Sequence, residues 1–268
     1  MLGQFPTRRA HADAGRPSPV SSPRSDVIVP TGPASATDAF EAAVGQRVRE
    51  IRDRIAAARA RGGHGQEVTL VAVTKTHGPE AVVAAHAAGV TDVGENRVQE
   101  AEVKRAALAH LPVRWHLIGH LQRNKARNAV TFDLVHGLDS SRLAVALDEA
   151  ARDAGRVLPV LLQVNVSGET SKFGVPPAEV DALAEQLRAH EALRVCGVMT
   201  MAPFDADEAM LRRVFAGARA CRDTLRAAGH DEATWLSMGM SGDFEIAIEE
   251  GATHVRLGTI LFGAREAA

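Results

Sequence analysis

The sequence contains no tyrosine, and aromatic residues make up only 4 % of its 268 residues. Its two cysteines, Cys196 and Cys221, form no CxxC pair and have no histidines at metal-ligand spacing beside them. A disulfide framework and a structural zinc site are therefore not expected, and a reducing compartment suits such a chain. The absence of tyrosine also bears on catalysis, because it removes one common acid–base group from any active site.

The sequence also lacks an excess of charge and a long apolar run. Its 31 Lys and Arg and 33 Asp and Glu residues give a formal net charge of −2, whereas proteins that bind nucleic acids usually carry a marked basic excess. No uninterrupted apolar run reaches the roughly 18 residues of a membrane-spanning helix, and the polar N-terminus lacks the apolar centre of a secretory signal. The sequence therefore predicts a cytoplasmic protein with no nucleic-acid or membrane partner.

The N-terminal part is unlike the rest of the chain. Residues 1–36 are rich in Pro, Ser, Gly and Arg without apolar periodicity, which predicts a disordered tail. An organelle transit peptide is the alternative, although acidic residues and scattered prolines argue against it. From residue 37, apolar residues recur at three- and four-residue spacing, which predicts an amphipathic helix that ends before Gly62, at the start of a single domain over residues 37–268.

The rest of the chain alternates between short apolar runs and helical segments. The first run, residues 68–75, is followed by Pro79, which suits the first turn of a helix because its missing N–H would have no partner there. Strands that are apolar throughout are typical of a parallel sheet buried on both faces, and eight βα repeats close most naturally into a barrel. The predicted fold is a single α/β (β/α)₈ TIM barrel, with an open doubly wound sheet as the alternative. The seven later runs are residues 91–96, 113–119, 134–140, 157–165, 194–202, 234–240 and 254–258.

Polar residues that end these runs are the candidates for a functional site, because the active site of such a barrel lies at the carboxyl ends of its strands. Lys75 ends the first run. A lysine whose stem is desolvated there keeps more of its amine in the uncharged form that Schiff-base formation needs. An ordinary surface lysine is the alternative. Asn96 is the last residue of the second run. Its side-chain amide is neutral and does not titrate, so it can donate a hydrogen bond to a phenolate oxygen at any pH.

A second group of candidates follows the seventh and eighth runs. Ser241 and Gly242 precede a predicted helix, and Arg256, Gly258 and Thr259 lead into a short final segment. Barrels often bind phosphate between the loops after strands seven and eight, where backbone N–H groups at helix starts favour an anion. A plain helix N-cap is the structural alternative for Ser241, and the two roles are compatible.

Several blocks, taken in order, resemble the pyridoxal 5′-phosphate (PLP) homeostasis protein family, a group of alanine racemase N-terminal-like proteins. Together they cover the chain from about residue 40 to 265. The combination is far more specific than any single block. The blocks are VAVTKTHGPEAV, VGENRVQEA, WHLIGHLQRNKAR, NVSGETSKFGV, GVMTMAP and LSMGMSGDFEIAIEEGATHVRLGTILFGAR.

The resemblance implies that PLP is the cofactor and that Lys75 forms a Schiff base with it. It further implies that Ser241, Gly258 and Thr259, with backbone help from Gly242, hold the phosphate. No metal site and no catalytic residue are implied.

By the same resemblance, Arg256 faces the pyridine nitrogen and Asn96 lies beside the ring. A guanidinium is permanently protonated, so it disfavours a protonated pyridinium and weakens the ring as an electron sink. Slow or absent turnover is therefore expected.

The resemblance thus implies a non-catalytic protein that carries or buffers PLP, influences amino-acid and keto-acid balance, and supplies PLP-dependent apo-enzymes. A PLP-dependent amino-acid racemase is the alternative. Racemases of the related barrel type take a second proton with a tyrosine from a C-terminal β-domain, and this sequence contains neither. The missing domain also favours a monomer. A phosphate-sugar barrel enzyme whose lysine forms a Schiff base with substrate is a third hypothesis.

Overall fold

The first helix begins one residue before its predicted start. The structure, a computed structural model, describes residues 35–170 and 172–263, so the predicted tail of residues 1–36 lies outside the described residues except at its end. Helix α1 (Ala36–Gly62) starts with a capping box, in which Ser35 and Asp38 each accept a hydrogen bond from the other's backbone N–H at 3.1 Å. It ends at Gly63, which adopts the left-handed conformation at φ 68°.

The described residues form a closed barrel of eight parallel strands in sequential order. Each predicted run contains one strand or, for the sixth, all but its first residue. The barrel closes because β8 pairs with β1, with Thr69 opposite His254 and Ala72 opposite Leu257. The predicted (β/α)₈ barrel is therefore confirmed, and the open-sheet alternative is wrong. The strands are β1 (Thr69–Val73), β2 (Asp92–Glu95), β3 (Arg114–Leu117), β4 (Leu134–Leu138), β5 (Leu158–Gln163), β6 (Leu193–Met199), β7 (Trp235–Ser237) and β8 (His254–Leu257).

The helices cover the outside of the barrel. Helix α1 packs against α2, α8 and α9, so it fills the position in the outer ring that the four-residue α9 is too short to cover. No helix in the described part of the chain has the length and apolar composition needed to cross a membrane. The remaining helices are α2 (Pro79–Ala87), α3 (Val98–Ala107), α4 (Ala126–Ala129), α5 (Ser141–Asp153), α6 (Val180–Leu187), α7 (Glu208–Ala227), α8 (Phe244–Glu249) and α9 (Thr259–Phe262).

A bulge in β6 brings two strand backbones unusually close. Val160 of β5 lies opposite Val195, whereas the next residue, Leu161, lies opposite Gly197, so one residue of β6 has no counterpart. Gly197 has φ 152°, and a Cβ at this position would overlap the carbonyl oxygen of Trp235 on β7. Only glycine fits this contact without displacing β7.

We predict that Gly197→Ala lowers the free energy of unfolding by about 3 kcal/mol, because the methyl group collides with backbone that cannot rotate away. Gly45→Ala is the control. Gly45 lies within α1, where a Cβ meets only the Arg49 guanidinium at 3.7 Å. Since alanine favours a helix more than glycine does, this variant should gain about 0.5–1 kcal/mol. Urea unfolding measures both, and equal effects would contradict the backbone-overlap explanation.

Candidate functional site

Lys75 lies two residues beyond the end of β1, at the carboxyl mouth of the barrel, and is half-buried. The chain bends sharply just after it. Thr76 has φ 66° and is the one non-glycine residue with positive φ in the described part of the chain. Backbone strain of this kind is concentrated at functional sites, where the surrounding structure holds it in place.

A buried charged cluster holds the backbone on both sides of Lys75. The Lys104 ammonium of α3 donates to the Thr74 carbonyl at 2.8 Å, to Glu95 Oε1 at 2.7 Å and to Glu100 Oε1 at 3.0 Å. Glu95 Oε1 also accepts from the Thr74 hydroxyl at 2.5 Å. We call Thr74, Glu95, Glu100 and Lys104 the clamp.

The clamp also explains how the strained residue is held. The Thr76 N–H donates to Glu100 Oε1 at 2.6 Å. Burial tends to raise the pKa of Glu100, but the bonds from Thr76 and Lys104 outweigh it and lower that pKa. For Glu95, which is fully buried, desolvation dominates and raises the pKa despite Lys104. The clamp therefore fixes the direction in which Lys75 leaves the strand.

Asn96 follows β2 and lies beside Lys75's strand. The Thr74 N–H donates to the Gly94 carbonyl at 3.1 Å, which joins the ends of β1 and β2. Asn96 is half-buried, and its backbone approaches Gly119 so closely that a Cβ there would overlap the Asn96 carbonyl oxygen. The structure thus places Asn96 at the same mouth as Lys75, as predicted.

The β7–α8 and β8–α9 loops meet on the other side of β1. The Ser241 hydroxyl accepts a hydrogen bond from the Ile260 N–H at 3.4 Å. Gly258 packs on the end of β1, where a Cβ would lie 3.2 Å from the Val73 carbonyl oxygen. Thr259 begins α9, so its N–H points outward with no acceptor inside the helix. Gly242 is exposed, and a Cβ there would meet no atom within 4 Å.

The helix-cap role considered for Ser241 is wrong. Helix α8 begins at Phe244 rather than near Gly242, and the residue before it is Asp243. The Asp243 carboxylate accepts from the Met240 N–H at 2.5 Å, and the Asp243 N–H donates to the Met240 carbonyl at 3.1 Å, so residues 240–243 form a turn before the helix. Ser241 is consequently left to reach across to α9.

Arg256 lies in β8 and points into the barrel, with only 5 % of its surface exposed. Its guanidinium donates to the Ser237 hydroxyl at 2.6 Å and to the Thr200 carbonyl at 3.0 Å. Burial lowers the pKa of Arg256 to about 10, with the charge of Asp243 acting in the opposite direction. Arg256 therefore remains a cation at neutral pH, held by two uncharged acceptors.

The geometry separates functional candidates from structural residues. His116, which is more often a satisfied core residue in such a strand, is indeed buried with both ring nitrogens hydrogen-bonded. Met199 packs into a small apolar cluster inside the barrel and is 1 % exposed. The sequence reasoning missed the partners of the site, above all Lys104 and Ser237. A signal existed for Lys104, because Glu100 and Lys104 have the i,i+4 spacing of a helical ion pair.

Comparison with known proteins gives the chain a family. The model of the alanine racemase N-terminal domain family matches residues 47–266. A pyridoxal phosphate homeostasis protein of Pseudomonas aeruginosa is 46 % identical over 226 residues, which are 84 % of this chain and 94 % of that protein. The protein of the same name from Escherichia coli K12 is 39 % identical over 232 residues, covering 83 % and 97 %. The chain belongs to the pyridoxal phosphate homeostasis protein family.

Solved structures agree with this assignment to the homeostasis family. PipY of Synechococcus elongatus, solved with PLP bound, is 39 % identical, has a TM-score of 0.74, and matches 82 % of this chain and 100 % of its own. Alanine racemase of Streptomyces coelicolor is 24 % identical at a TM-score of 0.70, and the match spans 59 % of that enzyme. At that identity the racemase shows a shared fold alone.

We predict that Lys104→Met lowers the free energy of unfolding by about 3 kcal/mol, because the substitution leaves the Glu95 carboxylate buried without its cation. This loss of stability should be greater at about pH 8 than at about pH 5. A carboxyl whose pKa is raised in the folded state contributes stability that is lost as pH rises through that pKa. Urea unfolding at both pH values provides the measurement.

Two further variants test the explanation. Adding Glu95→Leu to Lys104→Met should recover part of the loss and abolish its pH dependence, since no buried charge is left. Arg127→Met removes an exposed ion pair with Asp153 and should change stability by less than about 0.5 kcal/mol. A Lys104→Met effect that is small, or independent of pH, would show that the clamp is dispensable.

Proposed function

We propose that this protein binds PLP at the carboxyl mouth of the barrel and acts in PLP homeostasis as a carrier or buffer, with little or no turnover. The observation that carries the proposal is the convergence of a lysine, a guanidinium and a set of neutral anion donors at one mouth. Family membership and the PLP-bound structure of PipY support the choice of ligand. When bound, PLP supplies an aldehyde that bonds to amines and a ring that withdraws electrons.

The Ser241 side of the mouth fits a phosphate. Its donors are the Ser241 hydroxyl and the backbone N–H groups of Gly242 and of Thr259, the first residue of α9. Gly242 has open space beside it, and Gly258 leaves no room for a side chain against β1. Neutral hydroxyl and amide donors are the groups with which proteins often hold phosphate. We therefore assign Ser241, Gly242, Gly258 and Thr259 to the phosphate.

The β1 and β8 side of the mouth fits the ring. We assign to Lys75 the Schiff base with the aldehyde, since its position directly after β1 is fixed by the clamp. Asn96 would donate to the phenolate oxygen. Arg256 would face the pyridine nitrogen, and a donor-only cation there favours an unprotonated ring. The chain's own residues thus suit tight holding of the cofactor better than stabilisation of a carbanion.

Racemase activity is less well supported. The sequence has no tyrosine to act as second base. His116 and the two cysteines are other side chains that could act as a base, but their surroundings do not suit that role. Both ring nitrogens of His116 are engaged inside the barrel. Cys196 and Cys221 are buried, and burial raises the pKa of both thiols, that of Cys221 to about 11. A thiol of that kind is a poor proton acceptor at neutral pH.

The proposal includes three finer points: delivery of PLP to PLP-dependent apo-enzymes, action as a monomer, and a cytoplasmic location. The near-neutral net charge of −2 offers no attraction to polyanions, and the two curated relatives named above are matched over 94 % and 97 % of their length by a chain with a single barrel. Size-exclusion chromatography with light scattering tests the monomer.

We predict that the protein with added PLP shows a visible absorption band and that borohydride reduction leaves a phosphopyridoxyl group on the Lys75 peptide. Lys75→Ala should lose both signals, because the amine that forms the Schiff base is gone. Lys125→Ala, in the 3₁₀ turn after β3, should retain both. An unmodified Lys75 peptide would contradict the proposal and leave the phosphate-sugar barrel enzyme, whose lysine gives no visible band, as the better hypothesis.

We also predict that Ser241→Ala raises the Kd for PLP about tenfold, because one hydrogen bond to a charged group is lost. The Kd for pyridoxal, which lacks the phosphate, should not change. Titration of the visible band with each compound measures the two constants. An equal loss of affinity for both compounds would show that Ser241 does not contact the phosphate.

A further inference from the structure

A line of polar side chains crosses the interior of the barrel from Arg256 to the opposite mouth. The Ser237 hydroxyl on β7 lies 2.6 Å from Arg256 and 2.9 Å from His136 Nδ1 on β4. His136 Nε2 lies 3.0 Å from His116 Nδ1 on β3, and His116 Nε2 lies 3.0 Å from Asp92 Oδ1 on β2. We call Arg256, Ser237, His136, His116 and Asp92 the interior relay.

The two ends of the relay fix the direction of the hydrogen bonds there. A guanidinium only donates, so the Ser237 oxygen accepts from Arg256. The Asp92 carboxylate only accepts, so His116 donates to it from Nε2. Burial lowers the pKa of His136 well below its usual value, so its ring is neutral and has one donor and one acceptor nitrogen. His136 thus joins Ser237 to His116 through its two ring nitrogens.

The Asp92 end is anchored as an anion. Burial alone would raise the pKa of Asp92, but hydrogen bonds from His116 and Arg114 outweigh it and lower the pKa below its usual range. Arg114 donates through two nitrogens, at 2.8 Å and 2.6 Å. Four hydrogen bonds therefore join a buried cation at one end of the relay to a carboxylate at the other.

The relay ends in a cavity at the amino-terminal mouth of the barrel. This cavity has a volume of about 760 Å³ and is lined by residues at the starts of the strands, among them Asp92, Arg114, His116 and His254. Interiors of such barrels are normally filled by branched apolar side chains, and a buried polar chain is costly unless every member is satisfied. Each member of the relay is hydrogen-bonded to its neighbours. Together these bonds hold Arg256 in one orientation.

We propose that the interior relay positions Arg256 for PLP, so that its members, including Asp92 at the far mouth, control how the cofactor is held. The inference rests on the proposed function, because it takes Arg256 to face the ring of bound PLP. Asp92, His116, His136 and Ser237 are positioning residues in this role. They act through Arg256 and make no contact of their own with the cofactor.

The first part of the test uses the protein without PLP. Long-range ¹⁵N–¹H spectra of the histidine rings should show His136 neutral, with one of its two ring nitrogens protonated. Asp92→Asn removes the charge but keeps an acceptor, and it should shift the ring signals of His136, which Asp92 does not touch. Asp133→Asn is the matched control. Asp133 lines the same cavity but accepts from the Trp115 N–H at 2.7 Å and lies outside the relay.

The second part measures the Kd for PLP by the visible band, with folding checked by urea unfolding. Ser237→Ala removes the relay's bond to Arg256 and should raise the Kd about tenfold. Asp92→Asn should raise it about threefold through the weakened chain, and Asp133→Asn should leave it unchanged. If Ser237→Ala does not fold, the comparison of Asp92→Asn with Asp133→Asn decides alone.

The outcomes separate the two proposals. His136 ring signals that do not respond to Asp92→Asn, or identical PLP affinity in Asp92→Asn and Asp133→Asn, would overturn the relay even if Lys75 carries PLP. Failure of PLP to modify Lys75 would overturn the proposed function, and with it the role of Arg256 as a cofactor contact. Shifted His136 signals together with a higher Kd for PLP in Asp92→Asn would support the inference.

Discussion

The pairing of β8 with β1 is the constraint on which the candidate site depends. It sets Arg256 opposite Val71 and places Gly258 against the end of β1, so residues separated by more than 180 positions in sequence share one mouth. The loop that contains Ser241 follows β7, and the pairing of β7 with β8 brings it to the first turn of α9. Because parallel strands all point the same way, closing the barrel brings every strand's carboxyl end to one mouth. These two pairings thus bring the proposed phosphate donors, the guanidinium and Lys75 together.

Much of this arrangement could be predicted from the sequence, because the information is local. Continuous apolar runs such as residues 68–75 identify buried parallel strands, and the polar residue that ends each run must lie near the mouth. Pro79 predicts the start of α2, which the structure confirms. The same reasoning fails where a local feature competes with the pattern. Residues 240–243 form a turn before α8, which the apolar spacing of that segment does not reveal.

The residues that support the site could not be predicted, because their contacts join distant parts of the chain. His136 and Ser237 are 101 positions apart, and each has an ordinary role as an isolated residue in an apolar strand. Only the three-dimensional interior shows that the buried His136, Ser237 and Arg256 satisfy one another. The clamp could be predicted from the sequence in part. Its helical pair, Glu100 and Lys104, is visible in the sequence, but the bonds that join it to Thr74 and Thr76 depend on how α3 packs over the end of β1.

The distribution of charge explains why such a site would hold a cofactor rather than drive chemistry on it. In the proposed arrangement neutral donors hold the phosphate, and the cation that would face the ring is Arg256, which is bound by a hydroxyl and a carbonyl and keeps its proton because its pKa remains about 10. A carboxylate in that position would stabilise a protonated ring, whereas a donor-only cation opposes one. Asp243 acts on Arg256 through its charge, and Asp92 lies four hydrogen bonds away at the other end of the barrel. The group proposed to face the pyridine nitrogen is therefore a donor-only cation, which disfavours the protonated ring that carbanion chemistry uses.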